Sequence, residues 1–301
     1  MKISLGPIYF YWPKQKVYEF YQDIARSSVD VVYLGEVVCA KRHEMQLSDW
    51  LEIARLLTEA GKEVVLSTLT LIEADSELKR LSRICDNAQF LVEANDFAAI
   101  NLLSKQQKPF AIGPSVNIYN SASLNFLAKK GLRRWCFPVE LSVDTLAQIM
   151  QEKTDDLEVE VFAFGKLPLA FSARCFTARA YNLDKDNCQY KCIEHEQGVL
   201  LSTKEQQSFL LMNGIQTLSS DTFNLIAQLD RMQDMGVDVV RISPQTENTR
   251  EIVELFKAKA AGDISTNQAT QQLDALIDDN QCDGYWFEQA GMGQIEIATA
   301  P

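Results

Sequence analysis

A chain of 301 residues, 47% apolar and 23% charged, is long enough to bury one large core without disulfide staples. Its formal net charge of −12 and pI near 4.8 exclude global attraction to nucleic acid or to an anionic membrane, leaving room only for a local basic patch. No run approaches the ~18 apolar residues of a membrane span, and the start, MKISLGPIYFYWPKQ, lacks the features of a secretory signal, so the expected setting is the cytoplasm.

Short apolar runs alternate with amphipathic segments. KISLGPIYF reads as a strand, followed by a helix with Val17, Phe20, Tyr21, Ile24 and Ala25 at helical spacing. DVVYLGE precedes a helix through Trp50 and Leu57 that Gly61 ends. EVVLST leads to a helix with Leu78, Leu81 and Cys85, and FLVEAN to one from Asp96. PFAIGPSVN precedes a helix capped by Ser121 and ended by Gly131, RRWCFPVE precedes one near Ser142, and EVEVFAFG is a seventh strand. Periodicity then lapses over 166–205. It resumes at Asp221, with Leu225, Leu229 and Met232 on a helix, and VDVVRISP is an eighth strand before a helix carrying Ile252, Leu255, Phe256 and Ala260.

Eight Val-, Ile- and Leu-rich strands with helices between them predict an α/β fold with a parallel sheet buried on both faces, closed as a (β/α)8 TIM-like barrel. One domain spans 1–301, with a cysteine-bearing insertion at 166–220 after strand 7 and a C-terminal tail element at 265–301. A doubly wound open sheet is the alternative. No G-x-G-x-x-G follows the first strand, against a dinucleotide-binding version.

Seven cysteines, an odd number, suit reduced thiols or metal ligands better than a disulfide framework. In a barrel the loops after the strands share one face. Cys39 follows the second strand, and Cys175, Cys188 and Cys192 follow the seventh, so four thiolates can meet there. Lys166, Arg174, Arg179, Lys185 and Lys191 crowd the late stretch and would favour ligated thiolates. Spacing leaves zinc and an iron–sulfur cluster both open, with dispersed cysteines suiting a cluster better. Cys85 and Cys136 read as core. Cys282 is a reserve ligand.

EVEVFAFGKLPLAFSARCFTAR…CQYKC, FLLMNGIQTLSSDTFNLIAQLDRMQDMGVDVVRISP and CDGYWFEQAGM resemble the U32 family, once called U32 peptidases, over nearly the whole chain. SLGPIYFYWPK, VVYLGEVVCAKRHE, FLVEANDFAAIN and RRWCFPVELS are similar to its members in oxygen-independent ubiquinone biosynthesis. The resemblance implies a [4Fe–4S] cluster on Cys39, Cys175, Cys188 and Cys192. It implies a heterodimer with a second U32-type subunit that hydroxylates ubiquinone precursors, with prephenate as oxygen donor. Two departures stand out: Pro168 replaces a thiol usual in the family signature, and Ser243-Pro244 replaces a usual Glu-Gly-Arg.

Three functional classes follow: a hydroxylase subunit, a metal-stabilised scaffold subunit, and a peptidase. No H-E-x-x-H or G-x-S-x-G is present, and His43 and His195 both lie in polar loops, which argues against the peptidase. No catalytic residue is assigned. Polar residues at strand ends are Glu36, Glu93, Asn95, Ser115, Asn117, Asn120 and Glu140, with Glu36 expected to pair with Lys41 or Arg42. Trp135, Tyr285 and Trp286 read as core before ring-stacking groups. An isoprenoid-tailed substrate would require an apolar groove or a lipid-carrier accessory protein.

Overall fold

The computed structural model describes residues 1–295; the last residues of the expected tail element, 296–301, lie outside the described residues. The strands are β1 (Lys2–Leu5), β2 (Val31–Leu34), β3 (Glu63–Ser67), β4 (Leu91–Ala94), β5 (Phe110–Ile112), β6 (Leu132–Phe137), β7 (Glu158–Phe171), β8 (Val199–Ser202), β9 (Ser208–Asn213), β10 (Gln216–Asn224), β11 (Val239–Ile242) and β12 (Gln281–Cys282). The helices are α1 (Lys14–Ile24), α2 (Leu47–Glu59), α3 (Asp75–Cys85), α4 (Phe97–Lys105), α5 (Ser121–Ala128), α6 (Val143–Glu152), α7 (Phe176–Ala180), α8 (Leu229–Asp234), α9 (Thr249–Ala261) and α10 (Thr266–Asp274).

Strands β1 to β7 pair in sequence order, all parallel; β11 then pairs parallel with both β7 and β1 and closes the ring. This is the expected eight-stranded (β/α) barrel. Alternation along each strand sends Ile3, Leu5, Val32, Leu34 and Val92 outward into the main core beneath the helices. Val31, Tyr33, Val65 and Leu91 form a second, small apolar cluster on the inner side.

The barrel interior also carries a polar network. Arg241 on β11 donates to both oxygens of Glu160 on β7 at 3.1 and 2.7 Å and to Glu93 on β4 at 2.7 Å. Tyr33 donates to Glu160 and Ser67 to Glu93, each at 2.6 Å, and Ser4 also donates to Glu160. The guanidinium also lies 4.0 Å from the Tyr33 ring centroid. Every carboxylate oxygen here has a donor, which is what buried charge requires. Glu93 is therefore a structural anchor, and Asn95, bonded to Thr68 and Glu93, joins it.

Local capping follows expectation with two corrections. Gly61 (φ +79°) and Gly236 (φ +82°) sit just beyond α2 and α8 in the left-handed region. Asn120, not Ser121, caps α5 by accepting from Ser123 N at 2.8 Å. Leu78 lies on the exposed side of α3, while Leu81 and Cys85 are buried.

The segment after EVEVFAFG differs most from expectation. β7 continues through Phe171 and pairs antiparallel with β10, and β9 and β8 extend that sheet away from the barrel. Residues 208–224 are thus hairpin, and Leu225 precedes α8, which begins at Leu229. Extended, half-exposed strands lack the two-sided burial that marks the barrel strands. The C-terminal region is not an appendage: α10 packs on α9, and β12 pairs with β10.

Candidate metal centre

Two segments build the centre: the loop after β2, and the excursion from α7 to the turn at Lys191–Glu194. Gly35 opens the first segment at φ +145°, where an added Cβ would lie 2.4 Å from Ser67 O. Glu36 then folds back: its Oε1 accepts from Val38 N at 2.9 Å and Cys39 N at 3.0 Å, and stands 3.5 Å from Arg42 Nη1. The expected ion pair of Glu36 is with Arg42, and the carboxylate fixes the backbone that carries Cys39.

Arg42 joins the segments. Its side chain is buried, with Nη1 donating to Tyr9 O at 2.6 Å and Nη2 to Asn213 Oδ1 at 2.7 Å. Asn213 ends β9, and the adjoining Gly214 O accepts from Phe176 N at 2.9 Å, next to Cys175. Cys175 Sγ in turn accepts from Ala178 N at 3.4 Å at the start of α7.

The turn holding Cys188 and Cys192 is anchored to the same place. Lys41 Nζ donates to Lys185 O at 2.9 Å and pairs with Asp186. Tyr190 packs 6.5 Å from Tyr11 and 6.2 Å from His43, ring to ring, and Trp12 Nε1 donates to Glu196 O at 2.9 Å. Between the two cysteines, Gln189 and Tyr190 both adopt positive φ, +49° and +54°. Two consecutive non-glycine residues in that region cost on the order of 1–2 kcal/mol each, a strain that the anchoring contacts offset.

The electrostatics connect the thiols. Burial pushes Cys39 up to about 11, against the lowering field of Arg42, and Cys192 also feels its charge. Cys192 is raised by burial, lowered by Arg42 and raised again by Cys175. Lys41 interacts with Cys188 and Cys39. Cys39, Cys175, Cys188 and Cys192 are partly exposed, whereas Cys85, Cys136 and Cys282 are buried. Cys282 sits in β12 beside β10, so the reserve ligand belongs to the core.

The donor chemistry fits a thiolate-bound metal. Arg42 Nε is buried without a hydrogen-bond partner, and Cys192 lies beside the same guanidinium, so a thiolate there would supply an acceptor. Among the described residues no three His, Cys, Asp or Glu stand at ligating spacing, so the loops must draw closer for the four thiols to share one site. The cations contribute less than their number suggests. Lys166 turns to Asp279 at 2.8 Å, Lys185 pairs with Glu73, and Lys191 pairs with Glu194. Arg42 and Lys41, from the early loop, are the cations that reach the thiols.

Three of the remaining polar candidates have partners within the fold. Asn120 caps a helix, Glu140 accepts from Tyr119, and His195 Nε2 shares a 2.6 Å hydrogen bond with Tyr181. Trp135 and Trp286 are buried in the core, and Tyr285 packs against it. Sequence reasoning missed Arg42 as the joining group and missed a narrow cleft beside Glu36, whose volume of about 20 Å³ is room for about one water. The cleft lies between the ends of β2 and β3 and helices α2 and α3, lined by Trp50, Leu66, Leu69, Leu81, Arg80 and Glu36.

The sequence model of Peptidase family U32 matches residues 16–294. The chain belongs to this family. Partial matches link the U32 chain to two curated relatives named tRNA hydroxylation protein P. That of Haemophilus influenzae is 38% identical over 66 residues, covering 22% of this chain and 14% of the relative. That of Escherichia coli is 30% identical over 76 residues, covering 25% and 17%. This chain thus matches well under a fifth of each relative's length. Among solved structures, a U32 peptidase aligns over 81% of this chain and 93% of its own at TM-score 0.46 and 9% identity. The N-acetylneuraminate lyase of Aliivibrio salmonicida aligns over 90% and 78% at TM-score 0.47 and 11% identity. No helix of the described residues is long and apolar enough to cross a membrane.

Proposed function

We propose that this U32 protein is the iron–sulfur subunit of a UbiU–UbiV-type heterodimer, taking the UbiV role in oxygen-independent hydroxylation of ubiquinone precursors. Prephenate is the oxygen donor in this reading, and a UbiU-like U32 chain is the partner. The observation that carries it is the joining of the Cys39 loop to the Cys175–Cys192 excursion through buried Arg42. Family membership and the partial matches to tRNA hydroxylation proteins support hydroxylation as the reaction class.

Cys39, Cys175, Cys188 and Cys192 would hold a [4Fe–4S] cluster, which supplies electron-transfer capacity beside the substrate. Arg42 would donate its free Nε–H to a ligating sulfur and offset the negative charge of four thiolates. Glu36 would keep the Cys39 backbone in place. A lipid-carrier accessory protein would present the isoprenoid tail.

Two other readings have specific support. The closed, fully bonded interior around Arg241 leaves the barrel axis without a reaction chamber, which favours a scaffold subunit with a structural metal. The partial matches favour hydroxylation of tRNA, against which stands the net charge of −12.

The test is anaerobic purification with iron, sulfide and zinc quantification, followed by a hydroxylation assay with the partner chain on a ubiquinone precursor and on tRNA. The reading requires about four iron and four sulfide per chain. It also requires their loss in Cys39→Ala and Cys175→Ala, with loss of ubiquinone-precursor hydroxylation. Stoichiometric zinc without sulfide, or full hydroxylation by the iron-free variants, would establish the scaffold reading instead.

A further inference from the structure

Residues 97–139 contain six Lys or Arg and no Asp or Glu, while all 41 acidic residues of the chain lie elsewhere. Two of the six are committed within the fold. Lys108 Nζ donates to Cys85 O at 2.7 Å and Asn87 O at 3.1 Å, and Arg134 is clamped between Glu63 and Glu158. The other four, Lys105, Lys129, Lys130 and Arg133, are exposed and enter no ion pair among the described residues.

The topology gathers these four. Lys105 ends α4, Lys129 and Lys130 follow α5, and Arg133 is the second residue of β6. The two turns touch: Phe110 N donates to Gly131 O at 3.1 Å, and a Cβ added at Gly131 would lie 3.1 Å from Lys108 O. All four therefore sit where helices end and strands begin, at the barrel end opposite the cysteines. Phe126, one turn before Lys130, is 59% exposed, and the Lys130 ammonium lies 5.5 Å from its ring centroid. Asp86, bonded to Gln106, bounds the patch on one side, and Glu152, bonded to Ser121 and through its carbonyl to Asn125, bounds it on the other without pairing to its cations.

We propose that this face docks on an anionic phospholipid bilayer, with Phe126 entering the interface and the four cations meeting headgroup phosphates. An uncovered aromatic ring beside Lys130, on a face that carries three further unpaired cations, is the combination that interfacial binding uses: apolar insertion plus attraction to negative lipid. The overall negative charge does not oppose it at short range, because charges beyond ~8 Å are screened at physiological ionic strength. This inference is independent of the hydroxylation reading.

The experiment is co-sedimentation of the intact protein with phosphatidylcholine vesicles, with and without phosphatidylglycerol, at low and high salt. Binding is expected only to the anionic vesicles, weakening with salt and by roughly fivefold per cation removed in Lys129→Ala/Lys130→Ala. Phe126→Ser should weaken binding while leaving its salt dependence intact. Absence of binding to anionic vesicles at low salt overturns the proposal, as does binding unchanged in Lys129→Glu/Lys130→Glu. If Phe126→Ser binds like the wild type and tRNA or an acidic protein displaces the vesicles, the face is a polyanion site and the lipid assignment fails.

Discussion

Arg42 donates to Asn213 Oδ1 at 2.7 Å, and this one bond ties the loop carrying Cys39 to the hairpin end beside Cys175. The two residues are 171 positions apart in the chain, so the contact closes the site across the fold. Removing Arg42 leaves buried Asn213 Oδ1 without its donor and Glu36 without its ion-pair partner, while Tyr9 O keeps only Asn213 Nδ2 at 2.7 Å. Arg42→Ala should cost about 3–5 kcal/mol of stability, read by urea denaturation, and lower iron and sulfide content. Arg42→Lys should restore little of either, because one ammonium cannot serve the three positions that the guanidinium spans. Full recovery with lysine would show that charge alone matters.

The thiols should sort by exposure. In the native, metal-free protein, alkylation should modify Cys39, Cys175, Cys188 and Cys192, while Cys85, Cys136 and Cys282 react only after denaturation. Cys39 should be the slow member, since burial holds its thiol at about 11. Loading with iron and sulfide should protect the same four. Mass spectrometry after labelling reads both outcomes; protection of Cys282 on loading would place it in the ligand set.

The barrel interior should make the protein acid-sensitive. Burial alone would raise Glu160, but Arg241 and Arg134 overcome it and hold the carboxyl below its ordinary value of 4.5. Its contribution is therefore complete above pH 4.5 and is lost as pH falls through the lower native value. Glu160→Gln should cost about 3–5 kcal/mol at neutral pH and flatten the acid limb of the stability curve. Denaturant titrations at neutral and acid pH check the sign.

Gly35→Ala should destabilise by at least ~1–3 kcal/mol, because the new methyl would meet Ser67 O at 2.4 Å on a backbone at φ +145°. Since Gly35 precedes Glu36, the variant should also lose metal while keeping its barrel circular dichroism. Gly61→Ala is the comparison: nothing stands within 4 Å there, and only the φ of +79° is strained.

The barrel was legible because parallel strands buried on both faces read as unbroken apolar runs, and VVYL, EVVLS and VVRI all lie where the runs predict. The excursion was not. Leu200, Leu201 and Phe209 are exposed in β8 and β9, so apolar residues there do not mark a buried face. Four partly exposed cysteines stood out by position, yet the group that joins them is an arginine in a loop, which no spacing rule selects. A signal for the barrel interior was present and unused: Arg241 is the one charge in VVRI and Glu160 stands between Val159 and Val161 in β7, and a charge so flanked needs a buried partner of opposite sign.

β7 runs unbroken from Glu158 to Phe171 and serves two sheets, the barrel below and the cysteine-bearing excursion above. The join is not regular: the β7–β10 ladder shifts register on either side of Leu218, and Gly165 within β7 has φ +121°. The excursion is thus tied to the barrel along one strand, with an irregular seam where the small movement that gathers the thiols can be taken up. Whatever acts at the cysteines must reach them at a rim that the barrel itself holds out.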